Sequence, residues 1–149
     1  MKKRLALILL VVWLFVIFYL SSQNGAVSGN NSGGIIKGFL SLFHFSNADD
    51  IFNAIHNPLR ECMHAIEYFI LGLLSYNYFR LYNFKKAAPF CIVFCALYAI
   101  SDEIHQIFVP GRTFEYFDMY LDIFGSIIGI FLMQLVFKDI KKRTYLRFR

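Results

Sequence analysis

Charge is scarce in this sequence of 149 residues: Asp, Glu, Lys and Arg together make up 17%, against 58% hydrophobic residues. Soluble domains are about 45–50% apolar, so one water-soluble core does not account for the chain. Cysteine occurs three times, and Cys62, Cys91 and Cys95 all fall in apolar stretches. An odd count excludes a fully paired disulfide framework, and without a CxxC or a second pair the thiols give only a weak metal signal. Cys91 and Cys95, one helical turn apart, read as small apolar packing residues. HExxH, a nucleophile elbow, a Walker loop and a dinucleotide-binding glycine fingerprint are all missing, so the chemistries they carry are not indicated. Ser101, directly before Asp102, reads as a helix-packing residue.

Long apolar runs are abundant instead, and the mean hydropathy is +0.52. Leu5–Leu20 is unbroken, preceded by Lys2, Lys3 and Arg4 and followed by Ser21, Ser22 and Gln23. It is longer than a cleaved signal core and lacks a good small-residue cleavage site, so it reads as an uncleaved anchor. Three further spans are expected at 60–79, 88–108 and 118–137, after a first at 5–23. The expectation is an all-α polytopic membrane protein, a single domain over 1–149 built as a four-transmembrane-helix bundle.

The net charge of +5 is unevenly placed. Of fifteen Lys and Arg residues, three precede the first span, three lie between the second and third, and six follow Phe137. All twelve fall on one side of a four-span bundle, which the positive-inside rule assigns to the cytoplasm, with both termini. The basic balance thus reflects topology, and nucleic acid is not an expected partner. The outer loop, 24–59, opens with a flexible Asn/Ser/Gly stretch. Ile35, Ile36, Phe39, Leu40 and Phe43 then share one helical side, which predicts an interfacial helix. A second short helix, capped by Ser46 and Asp49, is expected to end before Pro58.

Ionisable residues inside a span cost about 2.5–3.5 kcal/mol each, yet here they cluster. Arg60, His64 and Glu67 occupy an arc of about 60° in the second span. Asp102, His105 and Gln106 fall within about 100° in the third, with Glu103 at the edge. Asp118, Asp122, Gly125 and Gly129 form a stripe about 60° wide in the fourth. At 1.5 Å per residue all three stripes reach the outer half of the bilayer at similar depth, about 6–10 Å below the span ends. Carboxylates near Arg60, Arg112 and two histidines can pair with one another, whereas lipid offers no partner. Gly125 and Gly129 form a GxxxG, the spacing that lets another helix approach. Between the third and fourth spans, Pro110 and Gly111 set a tight turn that presents Arg112 at the outer interface. Its guanidinium suits a lipid phosphate or a salt bridge to Glu115 or Asp118.

The chemistry stays open among several readings. His64, Glu67, Asp102 and His105 form two i, i+3 pairs able to ligate a divalent metal. The same residues, without metal, can work as general base and proton carrier, Glu67 or Asp102 being the base. Ion pairing that only fastens the helices is a third reading, and proton or solute conduction a fourth.

At these residues the sequence resembles the VanZ-like family of small bacterial membrane proteins, named for an accessory member associated with teicoplanin resistance. The matching features are Ser21, Ser22 and Gln23, then Arg60 with His64, Glu67 and Tyr68. They continue through Asp102, Glu103, His105, Gln106, Phe108, Pro110, Gly111 and Arg112 to Asp118, Asp122, Gly125 and Gly129. The chain departs from the family pattern at Asp122, where many members carry Asn. The resemblance implies an envelope protein linked to antibiotic tolerance, without supplying a reaction. Expected catalytic residues are His64, Glu67, Asp102, Glu103 and His105; expected substrate-binding residues are Arg60, Gln106, Arg112, Asp118 and Asp122. Expected partners are membrane lipid and a lipid-linked antibiotic or cell-wall precursor. A non-catalytic binding module and an oligomeric transporter or flippase are the competing functions.

Overall fold

A computed structural model describes residues 2–23, 48–82 and 86–147, and the side chains of all of these except 48–57, 59 and 139–147. Its described residues form four helices and no strand: α1 (Lys2–Ser21), α2 (Ala48–Arg80), α3 (Ala87–Gln106) and α4 (Tyr116–Arg147). A helix satisfies every backbone group internally, which is what an apolar run needs in hydrocarbon. Three helices are long and apolar enough to cross a membrane, Lys2–Ser21, Ala87–Gln106 and Tyr116–Lys138. α2 is not one of them, because His64, Glu67 and Asn77 dilute the apolar residues along its length.

One expectation is corrected here. The helix predicted to end before Pro58 instead continues through it as α2, with Pro58 inside. Proline removes one i→i−4 hydrogen bond and favours a kink, but it does not forbid continuation. The expected interfacial helix at 35–43 and the cap at Ser46 lie outside the described residues.

Side-chain contacts fix the helix directions. Tyr98 Oη donates to the Leu14 carbonyl at 2.7 Å, and Phe18 stacks on His105 with ring centroids 4.6 Å apart. The residue numbers rise together, so α1 and α3 run parallel. Arg60 meets Asp118 at 3.3 Å and His64 meets Asp122 at 3.9 Å, so α2 and α4 are parallel as well. Trp13 Nε1 donates to the Glu67 carbonyl at 2.9 Å, while Lys3 sits 4.6 Å over the Tyr82 ring. Here one number rises as the other falls, so the two pairs are mutually antiparallel. Arg80 lies against the Phe137 ring, 3.2 Å from its centroid. Lys3, Arg80 and Phe137 therefore share one end of the bundle.

α2 and α4 approach most closely. A Cβ on Gly125 would strike the Ala65 carbonyl, one on Gly129 the Phe69 carbonyl, and one on Gly72 the Ser126 carbonyl. The GxxxG thus brings backbone against backbone, as its spacing predicts. The core joins Leu10 and Ile17 of α1, Tyr68 and Leu71 of α2, Cys91, Cys95 and Ala99 of α3, and Ile130 of α4. Small residues on α3 face large ones on α2, and the two cysteines pack as predicted. Outward, Phe15, Phe18, Leu97, Phe124 and Phe131 are exposed. So continuous an apolar exterior suits hydrocarbon rather than water.

Candidate functional site

The end of the bundle opposite Lys3 and Arg80 collects the polar side chains. α3 leaves its last turn with Val109 accepting the Arg112 N–H at 3.1 Å. Gly111 adopts φ 77°. Proline followed by a positive-φ glycine is a type II turn, and it carries Arg112 back across the bundle. Arg112 Nε donates to the Gln23 carbonyl, just past α1, at 3.4 Å. Burial and the Arg60 charge lower the Arg112 guanidinium from its ordinary value, and Asp102, Asp118 and Glu103 oppose that shift.

Arg60 on α2 donates to Glu115 Oε2 at 3.2 Å and to Asp118 Oδ2 at 3.3 Å, tying α2 to the start of α4. One turn deeper, His64 Nδ1 faces Asp122 Oδ1. On α3, Asp102 Oδ2 accepts from Gln106 Nε2 at 3.4 Å, and Glu103 Oε2 accepts from the Glu115 N–H at 2.9 Å. Glu103 and Asp122 are 0% exposed, Asp102 4% and Asp118 2%. Asp122 lies within electrostatic reach of Asp102, Glu103, Glu67 and Asp118. Glu67, Asp102, Glu103, Glu115, Asp118 and Asp122 thus stand at this end, with the guanidinium groups of Arg60 and Arg112.

The expected convergence of Arg60, His64, Asp102, Glu103, Gln106, Arg112, Asp118 and Asp122 is therefore present, with four adjustments. Glu103, expected at the edge of its stripe, is fully buried. Its α3 stripe runs Cys95, Ala99, Asp102, Glu103, Gln106, which centres the acids and turns His105 away. His105 instead meets α1, with Nε2 3.0 Å from Ser22 Oγ. Glu67 is half-buried at the edge of α2, where its charge couples to Asp102 and Arg112. Glu115 and Asp118, offered as partners for Arg112, also pair with Arg60, and the Asp118 charge acts on both arginines.

The metal expectation fares differently. Among the described residues no group of three or more His, Cys, Asp or Glu side chains could hold a metal ion. His64, Glu67, Asp102 and His105 are divided between the acid cluster and α1, so this donor set does not fit a divalent ion.

Tyr68 was missed as a site residue. It is 0% exposed, and Asp102, Asp122, Tyr98 and Glu67 all act on its hydroxyl. The signal was its position one turn after His64. The buried face of α2 is His64, Tyr68, Leu71 and Ser75, rotated slightly from the stripe drawn through Glu67. Several buried atoms have no hydrogen-bond partner among the described residues: His64 Nδ1, Tyr68 Oη, Glu103 Oε1, Asp118 Oδ1 and both Asp122 oxygens. They come from three helices.

Comparison with known proteins now bears on this arrangement. The family model described as VanZ/LLP1 matches residues 6–137, from α1 into α4. The chain belongs to the VanZ/LLP1 family. No curated protein and no solved structure matches it. With three apolar helices long enough to span, it is a VanZ-like membrane protein.

Proposed function

We propose that this VanZ-like protein is a four-span protein of the bacterial cytoplasmic membrane, both termini cytoplasmic, whose polar cluster lies in the outer leaflet. There it acts on a membrane lipid or a lipid-linked amphiphile and lowers sensitivity to teicoplanin-type glycopeptides. Two features support the topology: α2 runs antiparallel to α1 and α3, and Lys3 and Arg80 lie at the opposite end from the acid cluster.

The observation that carries the functional reading is the set of buried unpartnered atoms on His64, Tyr68, Glu103, Asp118 and Asp122. A buried polar group without a partner costs about 1–3 kcal/mol, and a cluster of them is an expensive way to fasten helices. Buried acids gathered with a histidine are a common signature of a reactive site. Glu67 or Asp102 then serves as general base, His64 carries the proton, and Arg112 holds the anionic headgroup during hydrolysis or group transfer.

Replacing Glu67 with Gln and Asp102 with Asn, in protein that still reaches normal abundance, tests this reading. Drug sensitivity should rise and the lipid profile should revert to that of cells without the protein. Unchanged sensitivity together with an unchanged lipid profile would reject it. A non-catalytic module has one observation in its favour, the Arg60–Glu115–Asp118 bridge, which holds α2 to α4 without reacting groups.

A further inference from the structure

The face between α1 and α3 carries features that the acid cluster does not use. A cavity of about 320 Å³ is lined by Val11, Leu14, Phe15, Phe18 and Tyr98. Both of its helices are apolar spans, so the molecule available to fill it is a lipid acyl chain. Tyr98, hydrogen-bonded to the Leu14 carbonyl, fixes its wall. Its last aromatic, Phe18, stacks on the His105 imidazole. One turn beyond Phe18, Ser22 Oγ is 3.0 Å from His105 Nε2. The exposed Ser22 hydroxyl donates its one proton to the Phe18 carbonyl at 2.6 Å, the shorter of its two contacts. Arg112 is anchored to the carbonyl of the next residue, Gln23.

Depth adds a constraint. The apolar run Leu5–Leu20 climbs about 24 Å at 1.5 Å per residue, and Ser22 lies two residues beyond its end. That is the boundary between hydrocarbon and headgroup, where the ester carbonyls of a glycerolipid sit. We infer that Ser22 and His105 form a nucleophile–base pair that cleaves an acyl ester of a membrane phospholipid whose chain occupies the α1–α3 groove. A serine hydroxyl within hydrogen-bond reach of an imidazole nitrogen is the required geometry.

The Ser22 O–H turns from the Phe18 carbonyl toward His105; with His105 carrying its proton on Nδ1, the bare Nε2 then takes that proton as Oγ attacks the ester carbonyl carbon. The tetrahedral adduct collapses, the carbon–oxygen bond to the glycerol breaks, and His105 returns the proton to the departing alkoxide. A lysolipid leaves. Water then attacks the acyl-Ser22 ester with His105 again as base, releasing a fatty acid and restoring the serine hydroxyl. The sum is ester plus water to acid plus alcohol. The Arg112 charge lies beside the position of the adjoining phosphate. This reaction rests on the lipid reading above and names a bond within the lipid different from the headgroup linkage.

The test uses full-length protein in detergent with a fluorophosphonate probe, and in phosphatidylglycerol vesicles whose chains are either ester- or ether-linked. Peptide mass spectrometry should place the probe on Ser22. His105→Gln should slow labelling by about 100-fold or more, the usual contribution of a general base. Free fatty acid should appear from ester vesicles only, and Ser22→Ala should abolish it. Absence of both the Ser22 adduct and fatty acid from wild-type protein would overturn the inference, as would release that survives Ser22→Ala. Headgroup release from both kinds of vesicle without fatty acid would overturn it too, while leaving the headgroup reading standing.

Discussion

His64 Nδ1 on α2 and Asp122 Oδ1 on α4 stand 3.9 Å apart, too far for a hydrogen bond, at the level where these two helices come into backbone contact. Neither atom has a hydrogen-bond partner among the described residues, and Asp122 is fully buried. Burying a carboxylate without a hydrogen-bonded partner costs more than burying an amide of the same shape. Asp122→Asn should leave the thermal midpoint in detergent unchanged or raise it by a few degrees. A fall of several degrees would mean that Asp122 is held as the anion in a stabilising ion pair with His64.

Gly125 and Gly129 have no room for a side chain, because the Ala65 and Phe69 carbonyls occupy the space. Backbone atoms cannot swing aside as a flexible side chain does. Gly125→Ala and Gly129→Ala should each destabilise the bundle by about 1–3 kcal/mol, read as lower abundance and a lower melting temperature in detergent. Ile128→Ala, on the exposed side of α4, should change neither. Equal behaviour of the three variants would show that the α2–α4 contact is looser than described.

The Arg60 bridge offers a double-mutant cycle. Arg60→Met leaves Asp118, 3% exposed at its side chain, without its guanidinium, and should cost about 1–3 kcal/mol given the partial exposure of Arg60. Adding Asp118→Asn removes the stranded charge and should recover much of that loss, a coupling of about 0.5–3 kcal/mol. Additive losses in the melting temperature would show that the two residues do not interact.

Topology is measurable by cysteine labelling in intact cells, starting from a variant with Cys62, Cys91 and Cys95 replaced. Thr113→Cys, in the turn beside Arg112, should react with a membrane-impermeant maleimide. Lys86→Cys, at the opposite end of the bundle, should react only after permeabilisation. The reverse pattern would place the acid cluster on the cytoplasmic side.

The architecture was legible in sequence where one property dominated. Leu5–Leu20 announced α1 by apolar length alone, and Gly125 and Gly129 marked the close helix contact because only a missing Cβ permits it. The polar residues were legible as a group, since lipid gives ionisable side chains a reason to face inward. Their partners were not. Helical spacing placed Asp102, His105 and Gln106 on one arc, but it could not say which of two neighbouring helices each side chain would meet. His105 turned to Ser22 and Phe18 because α1 packs on that flank, a tertiary fact with no local signature. Tyr68 was overlooked because its ring reads as core and only its hydroxyl belongs to the site. Pro58 misled because a rule about helix ends treats as a stop what the chain treats as one lost hydrogen bond.

The central claim is that the buried acids beside His64 and Tyr68 work on a lipid or amphiphile rather than merely holding four helices together. Comparative lipid mass spectrometry and teicoplanin susceptibility, on cells carrying either the wild-type chain or the Glu67→Gln/Asp102→Asn chain at matched abundance, measure this directly. The account predicts that the wild-type chain alone alters one lipid class and raises the inhibitory concentration. Identical lipids and identical susceptibility in the two strains would contradict it.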